Sequence, residues 1–446
     1  MELPQRQDLY LDHFESIQST LSQEPDWLKS LRSAGMECFS SHGFPSLADE
    51  AWRFTSLREL AQIPFEFAED LDSGLDGNDL SGLQFASLNC KRLVFLNGSY
   101  RPDLSDVFGV QGLTVSNLEA AVVHSPEVVE AHLGRYADQK DNPFVSLNTA
   151  LSRDGFFVNL ESGTRLEDPI HIVHLMSDSA TPIRTHVHNL VIVGDSCEVD
   201  LVECYLGIGN NVTFTNPVTE ICVGNNSKVN HYRIQNESPN GFHVGANDVQ
   251  QGRDSHYRGL VIDLGGQLVR NNLRCVLSGE GGLAGIDGLY LLRGRQHVDN
   301  YTTLEHAVPH CDSRELFKGI LDDRSSGVFR GRIIVHKDAQ KTDSKQTSSN
   351  LLLTDRARIN TKPQLEIYAD DVKCTHGATI GQLDANALFY LRSRGIPLQA
   401  AKGILIFAFA SELFEGVKVQ SLGQQLSRYL EEWLSASQST EGVYRQ

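Results

Sequence analysis

The chain has 446 residues, 22% of them charged and 40% hydrophobic, with a formal net charge of −18. This balance is typical of a globular protein of two or three domains and argues against non-specific binding to nucleic acid or to an anionic membrane. Its eight cysteines, none in a C-x-x-C pair, are too sparse for a disulfide framework and suit a reducing compartment.

Targeting signals are not evident in the sequence. The first residues, MELPQRQDLYLDHFE, lack the layout of a signal or transit peptide. The most apolar run, GILIFAFA (403–410), is far shorter than the ~20 residues of a membrane-spanning helix. We therefore expect a cytoplasmic protein without a membrane or nucleic-acid partner.

The N-terminal region, 1–153, is predicted to be mostly helical. Apolar residues recur near a 3.6-residue period before Pro25 and again after it: Leu11, Phe14, Ile17, Leu21, then Trp27, Leu28 and Leu31. RLVFLNG (92–98) predicts one short strand that ends in an Asn-Gly turn. Helical patterns return over 116–152, where Ser116 and Glu119 have the spacing of a capping box.

Residues 154–380 have the pattern of many short strands. Alternating segments are separated by Gly, Asn and Asp, and two of them recur: VGDSCEVDLVE (193–203) as VGNNSKVNHYR (223–233), and LDDRSSGVFRGRIIV (321–335) as LTDRARINTKPQLEI (353–367). A period of roughly 30 residues, without intervening helices, indicates a solenoid or a propeller. Propeller blades have ~40 residues or more and their own signatures. A parallel β-helix is therefore favoured, and a β-sandwich stays open.

The C-terminal region, 381–446, returns to helix in three segments: ANALFYLRSRG, LQAAKGILIFAFASELFEGV and LGQQLSRYLEEWL. Apolar residues cover most of the circumference of the middle segment. We expect that helix to pack on more than one side.

Several motifs of nucleotide and hydrolase chemistry are missing. The sequence has no phosphate-binding P-loop, no G-x-S-x-G and no H-E-x-x-H. GEGGLA (279–284) resembles a dinucleotide loop but opens no evident helix, so we interpret it as a turn.

The segment DVKCTHGATIGQLD (371–384) holds the first candidate site. Cys374 and His376 are two residues apart, so in a strand they face the same way, and a thiolate and an imidazole there suit one metal ion. A buried thiol beside a hydrogen-bonded histidine explains the pattern equally well. The spacing leaves both open.

Three further polar segments are weaker candidates. HAVPHC places His306, His310 and Cys311 within six residues, but a proline divides them and no second half-site follows, so a structural role is favoured. In THVHN, His186 and His188 share a strand face, as exposed histidine pairs often do. The polar run 336–355 is either a solvated coil or, as its Gln and Asn residues favour, a stack of polar side chains inside a β-helix.

Longer stretches resemble a known family. HVDNYTTLEHAVPHCDSRELFKGILDDRSSGVFRGRIIV and KTDSKQTSSNLLLTDRARINTKPQLEIYADDVKCTHGATIGQLDANALFYLRSRGI closely resemble the core of the SufB/SufD family of iron–sulfur cluster assembly scaffolds. This likeness covers about 290–415. It extends more weakly to FLNGSYRPDLS, NPFVSLNTAL and GFPSLADEAWRFTSL, the last with Trp52, Arg53 and Thr55 of a Glu-x-Trp-Arg-x-Thr pattern.

The stretch from Lys373 to Asp384 is similar to the SufD branch, whereas SufB proteins carry a glutamate-containing variant there. The residues 385–387 are less acidic than is usual in the family, but Leu-Phe-Tyr-Leu (388–391) continues as expected. The resemblance implies a mainly β fold: a right-handed parallel β-helix core (154–380) between α-helical N-terminal (1–153) and C-terminal (381–446) regions.

The resemblance also implies partners and a site. A SufB-like protein would pair through the β-helix, and a SufC-like ATPase would dock on the C-terminal helices, so this chain would be a non-catalytic subunit. The sequence leaves open whether it forms a homodimer when alone. His376 would lie at the SufB interface and help hold a transient iron–sulfur cluster or iron, with Cys374 as a weaker ligand. A few ligands divided between two chains suit a cluster that must be released.

Further expectations follow from the same resemblance. Complexes of the family are linked to reduced flavin, although nothing in this sequence marks a flavin site. A SufB-like role as the main cluster scaffold is one alternative. A β-helix carbohydrate-active enzyme, which rests on fold analogy alone, is another.

Overall fold

The computed structural model describes residues 7–18, 24–68, 80 and 82–440. Helices α1 (Gln7–Gln18) and α2 (Asp26–His42) form where the apolar spacing predicts them, and Pro25 directly precedes α2. The predicted helical position Leu21 lies outside the described residues. Within those residues, no helix has both the length and the apolar character needed to cross a membrane.

The predicted capping box at Ser116 is wrong. Ser116 lies in a strand, and helix α3 (Leu118–His124) begins after Asn117. The backbone N–H of Glu119 donates instead to Oδ1 of Asp154, at 3.1 Å. Strand pairing takes Ser116 away from the cap position, and a carboxylate far along the chain replaces it. Two more helices, α4 (Pro126–His132) and α5 (Pro143–Leu151), complete the N-terminal set.

Twenty-one strands build the core among the described residues. In chain order they are β1 (Glu66–Phe67), β2 (Arg92–Leu96), β3 (Ser99–Tyr100), β4 (Leu113–Asn117), β5 (Phe156–Leu160), β6 (Ile170–Met176), β7 (Ile183–Val193), β8 (Glu198–Gly207), β9 (Thr213–Val223), β10 (Lys228–Asn236), β11 (Phe242–Gln251), β12 (His256–Asp263), β13 (Leu268–Leu277), β14 (Leu283–Leu292), β15 (His297–His306), β16 (Asp312–Leu321), β17 (Ser326–Val335), β18 (Asp343–Leu352), β19 (Arg358–Thr361), β20 (Gln364–Ile367) and β21 (Lys373–Gly381).

The strands form two sheets that the chain visits alternately. Sheet A runs β4-β5-β7-β9-β11-β13-β15-β17-β19, with β1 and β20 attached, and sheet B runs β3-β2-β6-β8-β10-β12-β14-β16-β18-β21. Pairing is parallel except in β2–β3 and β4–β5. The result is a parallel β-solenoid of about eight turns, which confirms the predicted fold and excludes a sandwich or a propeller. The right-handed sense of the coil stays a prediction.

The sequence repeats correspond to successive coils. Val199 in the first copy of one repeat pairs with Val229 in the second, and Gly327 pairs with Ile359 in the same way, so both repeats are confirmed. The turns that follow sheet A repeat as well, because Ser196, Asn226 and Asp254 all have φ between 53° and 59°. Short polar residues tolerate this left-handed conformation. GEGGLA contributes the next such turn at Gly281, φ 74°, and not a helix N-terminus.

Helical layers cover the outer faces of the two sheets. Side chains of the N-terminal region pack against Phe214, Phe242 and Leu268 on sheet A. Helices α7 (Leu398–Ser411) and α8 (Gln420–Thr440) pack on sheet B, whereas α6 (Ala385–Ser393) buries none of its residues. Helix α7 contacts α6, α8 and sheet B, as its broad apolar surface predicts, yet Ile404 remains 47% exposed.

The Glu-x-Trp-Arg-x-Thr segment ties the N-terminal region to later coils of sheet A. The Trp52 ring lies 4.4 Å from the guanidinium of Arg270. The Thr55 hydroxyl lies 2.9 Å from Nε2 of His297, and Glu50 pairs with Lys362 near the last coil at 2.5 Å. The segment therefore spans the sheet from β13 to the turn after β19.

Candidate functional site

Strand β21 is the last strand of sheet B and pairs only with β18. Residues 375–381 are exposed. From β6 to β18, each strand of sheet B has a hydrogen-bonded neighbour on both sides. The outward edge of β21 therefore presents unpaired backbone N–H and C=O groups.

The register shows which way Cys374 and His376 face. Cys374 is level with Ser344, and His376 with Gln346, both buried on the inner face of β18. Cys374 packs against the apolar core between the sheets. His376 has the same orientation but is exposed, because the described chain forms no further coil above it. Both candidate ligands thus line the open end of the solenoid.

The environment of Cys374 favours its protonated form. Burial raises the pKa of its thiol, and the nearby Asp343 carboxylate raises it further. A thiolate is the form that binds iron, so the proton must leave when a metal arrives. In the described part of the chain no group of three or more His, Cys, Asp or Glu side chains is arranged to hold a metal ion. Cys374 and His376 would fit iron only with ligands from elsewhere.

Exposed apolar side chains are concentrated around this end. Seven of the thirteen exposed large hydrophobic residues among those described lie after residue 366. We name two groups: the end surface (Ile367, Tyr368, Ile380) and the helix surface (Phe389, Tyr390, Leu398, Ile404). Clustered exposure of this kind marks interaction sites. The sequence interpretation did not single out these residues, because their apolar pattern does not say what covers them.

Family models match most of the chain. Residues 175–409 match the SUF system FeS cluster assembly, SufBD core domain, and residues 4–172 match the SufBD protein N-terminal region. The chain belongs to the SufB/SufD family. The resemblance found in the sequence is confirmed, and within the family the chain is SufD-like.

Curated relatives of this family cover nearly the whole chain. It is 36% identical to the iron-sulfur cluster assembly SufBD family protein slr0076 of Synechocystis sp., over 90% of each protein. It is 33% identical to the iron-sulfur cluster assembly protein SufD of Escherichia coli, over 86% of this chain and 88% of that protein. The chloroplastic protein ABCI7 of Arabidopsis thaliana is 31% identical, over 90% and 86%. These relatives give no support to a carbohydrate-active enzyme.

The HAVPHC segment of this family member does not bring its three side chains together. His306 ends β15 with Nε2 2.8 Å from the Ser313 hydroxyl, and it is fully buried. His310 occupies the turn, at φ 60°. The Cys311 thiol is buried and donates to the Gly279 carbonyl, at 3.4 Å. The three residues therefore have separate structural roles, as the structural interpretation predicts.

The THVHN histidines share one face of β7, but they are buried, so the expectation of an exposed pair is wrong. Nδ1 of His186 lies 2.9 Å from Oδ1 of Asn216, and Nε2 of His188 lies 2.8 Å from Oε1 of Glu220. Burial lowers the pKa of His186 to about 3. Glu220 also accepts from the backbone N–H groups of residues 134, 136 and 137. The pair therefore helps attach the N-terminal region to sheet A.

Alternate residues of the polar run 336–355 line the inside of the solenoid where the run forms β18. On β18 the side chains of Ser344, Gln346, Ser348 and Asn350 are all buried between the sheets. Ser344 bonds the Ser313 hydroxyl at 2.6 Å, and Gln346 bonds Glu315 at 2.6 Å. The structure therefore agrees with a stack of polar side chains rather than a solvated coil.

Proposed function

We propose that this chain is a SufD-like, non-catalytic subunit of a cytoplasmic iron–sulfur cluster assembly complex. It pairs with a SufB-like protein through the open end of the solenoid and docks a SufC-like ATPase on its C-terminal helices. One observation carries the proposal: Cys374 and His376 lie on the same face of the last strand of sheet B, whose outer edge is unpaired, next to the exposed end surface.

The open end suits a partner with the same architecture. The free edge of β21 offers backbone hydrogen bonds, and Ile380, 51% exposed, offers apolar area beside it. A second solenoid placed against this edge extends sheet B and covers the end surface. A second copy of this chain occupies the same place when the SufB-like protein is absent.

The helix surface suits a different partner. Phe389 and Tyr390 are 73% and 55% exposed on α6, and Ile404 lies on the neighbouring α7. The sequence contains no P-loop, so ATP hydrolysis belongs to the partner that binds here. The helix surface and the end surface consist of different residues, so each can receive its own partner.

The cluster is the cargo of this site. Cys374 and His376 supply one thiolate and one imidazole, and the SufB-like partner completes the ligand set. The raised pKa of the Cys374 thiol favours reprotonation and hence release of iron. All eight cysteines are free thiols, in keeping with a reducing cytoplasm. A reduced flavin remains an expectation for the complex rather than for a site in this chain.

The test is the iron and acid-labile sulfide content of the anaerobic complex, with the chain co-expressed with its SufB-like and SufC-like partners. His376→Ala is compared with wild type and with Thr375→Ala, whose side chain is on the outer face of the same strand. We expect all three complexes to assemble and only His376→Ala to lose most of its cluster. Unchanged cluster content in an intact His376→Ala complex contradicts the proposal. A stable cluster in the chain purified alone favours the SufB-like scaffold.

A further inference from the structure

Gln346 is level with His376 on the preceding coil, and one polar atom of its buried side chain has no hydrogen-bond partner among the described residues. Gln346 is 1% exposed, and its Nε2 donates to Oε2 of Glu315 at 2.6 Å. Its side-chain oxygen, Oε1, has no hydrogen-bond partner among the described residues. A buried polar atom without a partner costs about 1–3 kcal/mol. Such an atom calls for an explanation.

The amide of Gln346 is held in this orientation by two features. Glu315 lies level with Gln346 one coil earlier and is itself buried, so it fixes the donor side of the amide. Across the interior, a Cβ at Gly331 would lie only 2.1 Å from Nε2 of Gln346. Glycine at that position makes the space that the amide occupies. The acceptor side is therefore fixed away from Glu315.

His376 is the next residue in the same inner row. The row runs Glu315, Gln346, His376 over three successive coils, and His376 is its only member that is exposed. In the neighbouring row, the Ser344 hydroxyl below Cys374 is already paired with Ser313. The unused acceptor thus lies in the row of the histidine and not in that of the cysteine.

A histidine that binds a metal through one ring nitrogen usually donates its other N–H to an acceptor, which fixes the ring and its tautomer. We propose that Gln346 is a positioning residue for His376: the exposed ring turns inward over the end of the solenoid, Oε1 of Gln346 accepts its N–H, and the second ring nitrogen is directed at the iron, while Glu315 holds the amide. This inference rests on the proposed function, since it gives His376 a ligand role.

The first test uses the metal-free chain alone. Long-range ¹H–¹⁵N spectra recorded at pH ~8.5 report the tautomer of the His376 imidazole. We expect a single His376 tautomer in wild type and a mixture in Gln346→Met, which keeps the side-chain length but lacks the amide. Ser348→Ala, at another buried polar side chain of the same strand, level with Ala378, is the control and is expected to leave the His376 signals unchanged. Identical His376 spectra in wild type and Gln346→Met overturn the proposal.

The second test measures iron loss from the assembled complex to an added chelator. Gln346→Met is expected to release iron ~10-fold faster than wild type or Ser348→Ala. Gln346→Glu, whose carboxyl shares one proton with Glu315 and still offers an oxygen, is expected to restore slow release. If His376→Ala keeps its cluster, the proposed function fails. If His376→Ala loses it while Gln346→Met releases iron at the wild-type rate, only the positioning role fails.

Discussion

The two ends of the solenoid differ in how they are closed. At the first end, antiparallel pairs β2–β3 and β4–β5 finish the sheets, and Tyr100, Phe108 and Leu113 pack against the apolar interior. At the last end, β21 has no neighbour beyond β18, and residues 375–381 are exposed. An uncovered strand edge can pair with a strand of another chain. The contrast supports the proposal that the last end receives a partner, whereas the first end is closed by the chain itself.

The largest expected effect concerns Asn148, near the first end. Nδ2 of Asn148, on the buried helix α5, donates to the Val187 carbonyl of β7 at 2.8 Å. It also donates to the Asn216 carbonyl, at 2.8 Å. Asn148→Ala leaves both carbonyls buried without this donor, so we expect the free energy of unfolding to fall by ~2–4 kcal/mol. Urea denaturation of the isolated chain measures this change.

The matched control for Asn148→Ala lies at the last end. Thr379→Ala removes an exposed side chain of β21, and we expect a change within ~0.5 kcal/mol. Equal losses of stability in the two variants would show that the ends contribute alike, against the comparison drawn above.

A smaller effect, dependent on pH, is expected from Glu315 near the last end. Burial raises the pKa of its carboxyl from 4.5 to about 7. Between these values the native chain keeps a proton that the unfolded chain has released, so the free energy of unfolding falls as pH rises from about 4.5 to about 7. At about 1.36 kcal/mol for each pKa unit, the fall is at most ~3 kcal/mol. Below pH 4.5 and above pH 7 this contribution is constant.

Glu315→Gln is expected to remove that slope, and urea denaturation at pH 5 and pH 7.5 measures it. Glu366→Gln, at a partly exposed carboxylate that pairs with Arg332, provides the control. If the pH dependence of stability is the same in wild type and Glu315→Gln, the Glu315 carboxyl does not hold its proton in the native state.

The strands and turns of the solenoid are predictable because every coil needs similar residue types at equivalent positions. The turn residues Ser196, Asn226 and Asp254 adopt one conformation, and the strands between them alternate inward and outward, so the period appears in the sequence. The cap of α3 is not predictable in this way. Its acceptor, Asp154, is distant in sequence, and strand β4 displaces the local candidate Ser116.

Part of the site follows from the sequence as well. A period of two predicts that Cys374 and His376 face the same way, and the register agrees. The exposure of His376 depends on β21 being the last strand of sheet B, which no local sequence pattern encodes. His306 and Cys311 have equally suggestive spacing, but later coils bury them. The role of Gln346 depends on the register between strands of successive coils, which two residues in a motif cannot reveal.

Hydrogen–deuterium exchange tests the central claim most directly, because it reports the free edge itself. The amides of 373–381 are compared in the isolated chain, diluted until it is monomeric, and in the complex with a SufB-like partner, with those of β2 and β3 as the internal control. We predict strong new protection along β21 and none at β2 and β3. Unchanged exchange at β21 in an assembled complex, with protection elsewhere, would show that the partner does not use the open end and would contradict this account.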